Sequence, residues 1–197
     1  MVRPSLVRQV EQQARHAEWL KQGHLEWPVQ LDTYMKPHQQ ARVEWLARNS
    51  VGRILEVGCS WGYILAACHG HVGVDLNPEN IELARQLARE RDFRVANALS
   101  LPFEDRSFDT VLLPDVLEHM PFEDVNKAII EATRVSRGRV LITLPKGDED
   151  TEDATNQKHV WLPTWDIVYQ LFGRMNFSDH LKGFYTIKLH WADMRNG

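Results

Sequence analysis

Between residues 52 and 145, short apolar runs mostly alternate with segments of helical spacing, and this alternation constrains the fold more than any other feature. The runs are GRILEVG, HVGVDLN, FRVANA, FDTVLLPD and GRVLITLP. Each run is long enough for one strand, and a helical segment can return the chain to the start of a parallel neighbour. The pattern therefore predicts an α/β fold with a doubly wound, mostly parallel sheet and helices on both faces.

The first quarter of the chain differs, because it shows helical spacing but no strand pattern. Helices are predicted over residues 5–22 and 38–49. We interpret residues 1–49 as an N-terminal helical cap and residues 50–197 as one compact core.

After the fifth run, residues 147–157 are acidic and carry few apolar side chains. Such a composition predicts a loop rather than a core element. A helix is predicted over 164–172, and the alternating segment FYTIKLHWAD predicts one more strand near the end of the sequence.

Composition and charge narrow the choice of partners. The net charge of −4 argues against a large nucleic-acid surface, which needs concentrated positive charge. No apolar stretch resembles a signal-peptide core or approaches the ~20 residues that cross a bilayer. The two cysteines, Cys59 and Cys68, lie in one strand-loop-helix unit and indicate no disulfide framework. A cytoplasmic protein with no membrane partner is therefore expected.

The stretch ILEVGCSWGYIL runs from a strand through a loop with two glycines into a helix. Gly58 and Gly62 let the backbone bend tightly and approach a ligand at the carboxyl end of the sheet. The stretch matches neither the dinucleotide pattern Gly-x-Gly-x-x-Gly nor a Walker loop. Asp75 ends the second strand, where an acid can accept hydrogen bonds from ribose hydroxyls; capping of the helix that starts near Pro78 is the alternative.

Four motifs in order identify a family resemblance: ILEVGCSWG, VGVDLNPENIELAR, ANALSLPFEDRSFDTVLLPDVLEHM and RVSRGRVLITLP. Together, over roughly residues 50–172, they resemble the class I S-adenosylmethionine-dependent methyltransferases, particularly the methyltransferase type 11 branch. The resemblance implies a Rossmann-like, seven-stranded sheet and S-adenosylmethionine as cofactor. It places these residues around the cofactor: Glu56, Gly58, Cys59, Gly62, Asp75, Leu76, Asn97, Ala98, Leu99, Pro114 and Asp115.

The resemblance also implies a role for several of these residues. Asp75 would bind the ribose, Leu76 would pack on the adenine, and Pro114 and Asp115 would lie beneath the methionine portion of the cofactor. Asn97 stands where the family usually has an acid that reads the adenine amino group. Its amide oxygen can still accept a hydrogen bond.

Methyl transfer requires alignment above all, and a general base only where the acceptor must lose a proton. His119 in DVLEHM and His159 in KHVWLP are the candidate bases, with Asp115 a weaker third. In similar enzymes the Glu-His pair after the fourth strand often orders the loop instead.

The resemblance implies an acceptor pocket built partly by the N-terminal helices. Its predicted wall residues are Trp27, Tyr34, Met35, His38 and Trp161. The predicted function is transfer of a methyl group to an oxygen or nitrogen of a small-molecule acceptor, by a monomer or homodimer.

Two other functions remain open. One is a protein or RNA methyltransferase, although the acidic balance and the absence of an Asn/Asp-Pro-Pro-aromatic motif argue against nucleic acid as a partner. The other is a non-catalytic module that binds S-adenosylmethionine. No metal site is predicted: His69 and His71 are interpreted as a surface pair, and Cys59 as a small packed residue.

Overall fold

The computed structural model describes residues 36–147, 159–161, 163–172 and 177–190. The chain divides into two compact units, Met1–Gln40 and Ala41–Gly197. The predicted helix over 5–22, most of the predicted acidic loop, and the predicted pocket residues Trp27, Tyr34 and Met35 lie outside the described residues. The division into a helical cap and a core at residue 50 stays a prediction.

A single sheet of seven strands lies in the described part of the chain. The strands are β1 Ile54–Val57, β2 Val72–Asp75, β3 Asp92–Val95, β4 Phe108–Pro114, β5 Ser136–Pro145, β6 Phe177–Leu181 and β7 Phe184–His190. The α-helices are α1 Pro37–Asn49, α2 Tyr63–Ala67, α3 Pro78–Leu87, α4 Phe122–Val135 and α5 Trp165–Phe172. A 3-10 helix, Leu117–His119, follows β4.

The strand order is β3-β2-β1-β4-β5-β7-β6. Strands β1 to β5 pair in parallel, and β7 pairs antiparallel with both β5 and β6. The order reverses between β1 and β4, which is where ligands bind in open α/β sheets. The prediction of a doubly wound, mostly parallel α/β sheet is confirmed.

The sequence did not reveal β6. Its residues, FSDHL, show no apolar alternation. The strand is specified instead by antiparallel pairing with β7. By contrast, all four residues of β1 are buried, Glu56 among them, as expected for a central parallel strand that is covered on both faces.

The helices pack through the stripes that their spacing predicts. On α4 the buried residues are Val125, Ala128, Ala132 and Val135, at intervals of three and four. These side chains join the main core with residues of β1, β4 and β5. Within the described residues, no helix combines the length and the hydrophobicity that a transmembrane segment requires.

Candidate functional site

The residues implied to bind the cofactor lie at or just after the carboxyl ends of β1, β2, β3 and β4, which meet at one edge of the sheet. Direct contacts link these loops. The backbone N–H of Ser60, after β1, donates to Asp75 at the end of β2. Asp115, after β4, donates its backbone N–H to the Thr143 carbonyl in β5. The structure therefore brings the loops after neighbouring strands together.

The two glycines of the loop after β1 are required by the protein's own packing. Gly58 has φ +71°, and a Cβ there would lie 2.5 Å from Cγ2 of Val116. Gly62 has φ +84°, and a Cβ there would lie 2.7 Å from Cζ of Phe93. Both the left-handed backbone and these close approaches exclude a side chain. The glycines alone are thus no proof of a ligand.

Two residues other than glycine also have left-handed backbone in these loops. The φ angle is +47° at Ser60 and +54° at Asp115. For such residues this conformation is unfavourable, and it persists where surrounding contacts enforce it, often at functional sites. In this conformation the Ser60 N–H donates to Asp75 Oδ2.

The carboxylate of Asp75 connects three parts of the site. Its Oδ2 accepts from the Ser60 N–H at 2.9 Å. Its Oδ1 accepts from the Asn77 N–H at 2.9 Å and from Asn80 Nδ2 at 3.2 Å. The cap of α3 is the Asn77 side chain, which accepts from the Glu79 N–H, so the capping role considered for Asp75 belongs to its neighbour. A carboxylate has about four acceptor positions, which leaves one for a ligand.

The residues implied to contact adenine are accessible. Leu76, directly after Asp75, has 68% of its surface exposed. Asn97 is exposed, and its Oδ1 accepts from the Leu99 N–H at 2.9 Å. A carbonyl oxygen has a second lone pair, so Asn97 retains an acceptor position. Ala98 and Leu99 are half-buried against the core.

Glu56, in β1, is a buried carboxyl group beneath the loop. Burial raises its pKa well above the ordinary value, while the Leu65 backbone N–H and the positive charge of Arg42 lower it, and the charge of Asp75 raises it. No group in the described part of the chain donates a hydrogen bond to its Oε2. The site thus contains a buried acceptor at the end of a central strand.

Arg42, on α1, was not identified from the sequence. Its side chain is 1% exposed and forms an ion pair with Asp115. Its guanidinium also lies over the ring of Phe184, 4.8 Å from the centroid. Asp115 additionally accepts from Thr143 Oγ1 at 3.0 Å. The only sequence signal for Arg42 was its position four residues before Leu46, which places its charge on the apolar face of the predicted helix.

The two candidate bases lie side by side. The ring centroids of His119 and His159 are 5.0 Å apart. The Val160 N–H donates to the Glu118 carbonyl at 2.8 Å, and Trp161 Nε1 donates to the Leu117 carbonyl at 3.0 Å. These bonds hold the segment after the acidic loop against the 3-10 helix.

Two of the predicted pocket residues, Trp161 and His38, lie in the described part of the chain. Trp161 is half-buried, and its ring packs edge-on against Phe122 with centroids 5.3 Å apart. It therefore helps to hold the loop, whatever else it contacts. His38 is half-buried on α1.

Cys59 has its side chain in the core rather than in the site. It is buried with Leu65, Ile81 and Phe93. Burial raises the pKa of its thiol, and the charges of Glu56 and Asp75 raise it further. The thiol therefore stays protonated and is no nucleophile, in agreement with the packed role.

The free energy of unfolding of Glu56→Gln, relative to that of wild type, is expected to rise as the pH rises. Below about pH 4.5 the carboxyl is protonated in the folded and unfolded chains alike. Above it the unfolded chain loses the proton while the folded chain keeps it. The free energy of unfolding therefore falls by up to about 1.4 kcal/mol per pH unit until the raised folded pKa is passed. Glutamine has no such dependence.

Urea unfolding of both proteins between about pH 4 and pH 8 measures this difference. Glu82→Gln, on the exposed side of α3, is the matched control for a change at a glutamate. A Glu56→Gln difference that is constant over this range would contradict a raised pKa.

Residues 55–142 match a family model described as a methyltransferase domain. An uncharacterised protein from Haemophilus influenzae is 34% identical over 127 residues, which cover 56% of this chain and 50% of that protein. The chloroplastic tocopherol O-methyltransferase of Arabidopsis thaliana is 31% identical over 140 residues, which cover 58% of this chain and 40% of that protein. The matched part thus spans half or less of the length of these relatives.

A solved structure has a similar fold. It is described as an S-adenosylmethionine-dependent methyltransferase, possible histamine N-methyltransferase, from Thermotoga maritima. The TM-score is 0.64 at 16% identity, over 82% of this chain and 94% of that one. Residues 55–142 are thus similar to a methyltransferase domain, and the sheet that contains them has the fold of an S-adenosylmethionine-dependent methyltransferase.

Proposed function

We propose that this chain binds S-adenosylmethionine and transfers its methyl group to an oxygen or nitrogen atom of a small organic acceptor. The observation that carries the proposal is the Asp75 carboxylate with an acceptor position left, next to the exposed Leu76 at the carboxyl end of the sheet. A ribose hydroxyl and a purine face are the chemical groups that such a pair suits.

The described residues fit the remaining parts of the cofactor. The amino-acid end carries an ammonium group and no phosphate, which agrees with a loop that lacks the phosphate-binding glycine pattern. Glu56 supplies a buried acceptor beneath that loop. Asn97 retains an acceptor position for the adenine amino group. Binding of a second ribose hydroxyl by Asp75 would displace its longest bond, the one from Asn80.

When bound, the cofactor supplies an electrophilic methyl group. This chain would contribute by positioning: Asp75 and Glu56 hold the cofactor, and Arg42 holds Asp115 in its left-handed conformation. Alignment of this kind can lower a barrier by up to roughly 7–11 kcal/mol. Where the acceptor must lose a proton, His159 and His119 are the candidate bases, for a further factor of roughly 10²–10⁴.

A small-molecule acceptor is favoured by the net charge of −4 and by Leu113-Pro114-Asp115-Val116 in place of a base-amino methylation motif. The descriptions of two similar proteins, a tocopherol O-methyltransferase and a possible histamine N-methyltransferase, both name a small-molecule acceptor. Cytoplasmic location and a monomeric or homodimeric state stay predictions.

Calorimetric titration with S-adenosylmethionine and its demethylated product tests the proposal. Micromolar dissociation constants are expected for both ligands. Release of the demethylated product should then be measured against a panel of phenols, carboxylic acids and amines.

Turnover with a panel member would support the proposal. Tight binding with no turnover on small molecules, protein or RNA would instead indicate a non-catalytic binding module. Turnover only on protein or RNA would overturn the acceptor class. A folded protein that binds neither ligand would overturn the proposal as a whole.

A further inference from the structure

We propose that Glu118, His119 and His159 form a binding site for a divalent transition-metal ion, with Zn²⁺ the best match. One ligand atom from each residue lies within 4.8 Å of the others. The inference goes beyond methyl transfer, because it concerns metal binding by these side chains and requires no cofactor. It replaces the prediction that the chain has no metal site, which considered only His69 and His71.

Two distant segments of the chain build this site. The first is the 3-10 helix after β4, which contributes Glu118 and His119. The second follows the acidic segment and contributes His159, which is held in register by the bonds from Val160 to the Glu118 carbonyl and from Trp161 to the Leu117 carbonyl. Because the backbone of both segments is fixed, ion binding requires only side-chain adjustment.

The distances suit a small ion. Bonds of about 2.0–2.2 Å to zinc place the ligand atoms of a tetrahedral site roughly 3.5 Å apart. The ligand atoms of the three residues lie within 4.8 Å of one another, so they would need to approach by only about 1 Å to bind the ion. The rings of His119 and His159 are tilted by 64° rather than stacked, so one nitrogen of each can approach a common point.

The donor set selects the kind of metal. Two imidazoles and one carboxylate are the ligands of several zinc enzymes, and the same set also binds ferrous iron. Calcium and magnesium are less suitable because they prefer oxygen ligands. Three protein ligands leave a coordination position for water, which is typical of catalytic rather than structural zinc sites.

Burial and access also agree with an ion. Glu118 is fully buried, and an ionised carboxyl group in that position is stabilised by an adjacent cation. His119 is exposed and His159 is half-buried, so the cluster opens to solvent on one side and an ion has a path of entry.

The metal gives the two histidines a role other than general base. A coordinated imidazole uses its lone pair to bind the metal, so it cannot accept a proton from the acceptor. If methyl transfer occurs as proposed, the open coordination position would instead bind an acceptor oxygen. This last step rests on the proposed function, whereas the metal site does not.

The test uses the full chain after treatment with a chelator. Titration with Zn²⁺ by calorimetry, and with Co²⁺ by visible absorption, is expected to show one ion per chain and the bands of a low-coordinate cobalt site. His119→Asn, His159→Asn and Glu118→Gln should each weaken binding by about tenfold or more. His71→Asn is the matched control and should bind as wild type does, because His71 is exposed and directly precedes β2, at the amino end of that strand.

The proposal is overturned if the wild-type chain shows no saturable Zn²⁺ binding, or if both histidine variants bind with wild-type affinity. Circular dichroism verifies that each variant is folded. Should Glu118→Gln unfold, the two histidine variants still decide the question. Binding is measured without S-adenosylmethionine, so a failure of the proposed function and a failure of the metal site would be observed separately.

Discussion

Asp75→Ala is expected to weaken the binding of S-adenosylmethionine and of its demethylated product by about 100-fold or more. A hydrogen bond to a charged acceptor contributes about 1.5–3 kcal/mol, and each 1.4 kcal/mol is about tenfold in affinity. The substitution removes the bonds to the ribose and also the acceptor for the N–H groups of Ser60 and Asn77. The loop after β1 therefore loses the bond from Ser60 to β2 and keeps the one from the Cys59 N–H to the Val74 carbonyl. Calorimetric titration measures the loss.

Two further variants separate these effects. Asp75→Asn keeps the shape of the side chain and one acceptor oxygen, so its loss of affinity should lie between those of wild type and Asp75→Ala. Glu79→Ala, an exposed acid in the first turn of α3, is the matched control and should leave affinity within about twofold. Wild-type affinity in a folded Asp75→Ala protein would contradict a role for Asp75 in binding the ribose.

Arg42→Ala is expected to lower the free energy of unfolding by about 3 kcal/mol. Removal of one partner from a buried ion pair costs about 3–5 kcal/mol, because the other charge is left uncompensated. The lower value applies here, since the Asp115 side chain is 25% exposed and can be partly hydrated. The packing of the arginine on Phe184 is lost as well. Urea unfolding measures the change.

The same helix provides the control. Arg48 is paired with Glu44 at 3.3 Å but is 79% exposed, so Arg48→Ala should change stability by no more than about 0.5 kcal/mol. The double variant Arg42→Met with Asp115→Asn removes both charges. The stability that it loses should be smaller, by more than about 1 kcal/mol, than the sum of the losses measured for Arg42→Met and Asp115→Asn alone. Equal effects of Arg42→Ala and Arg48→Ala would contradict a stabilising buried pair.

The predicted positions of the site residues at strand ends agree with the structure, whereas the binding roles of these residues stay predictions. Asp75 was placed by the rule that the end of a parallel strand lies at the carboxyl edge of the sheet, whereas Leu76 and Asn97 were placed by the family resemblance. Each is found there with an exposed surface or an acceptor position. Arg42 escaped prediction because it lies in a helix without a motif and acts through Asp115, which is far away in the sequence.

The sequence by itself determined the architecture of the core. Apolar runs and helical stripes are local properties, and in a parallel sheet they largely specify which segments become strands and which become crossover helices. The positions of the glycine loop and of Asp75 at strand ends followed from the same local information. The edge strand β6 could not be predicted from local information, because its own residues show no strand pattern and it forms by pairing with β7.

Only the tertiary structure decided which side chains meet. The glycines at 58 and 62 are required by Val116 and Phe93, two side chains from other segments. Two histidines predicted as separate candidate bases came together with Glu118 because loops after β4 and β5 pack against each other. Such contacts join residues that no sequence period relates, since they depend on how the strands are ordered in the sheet and on what packs over its edge.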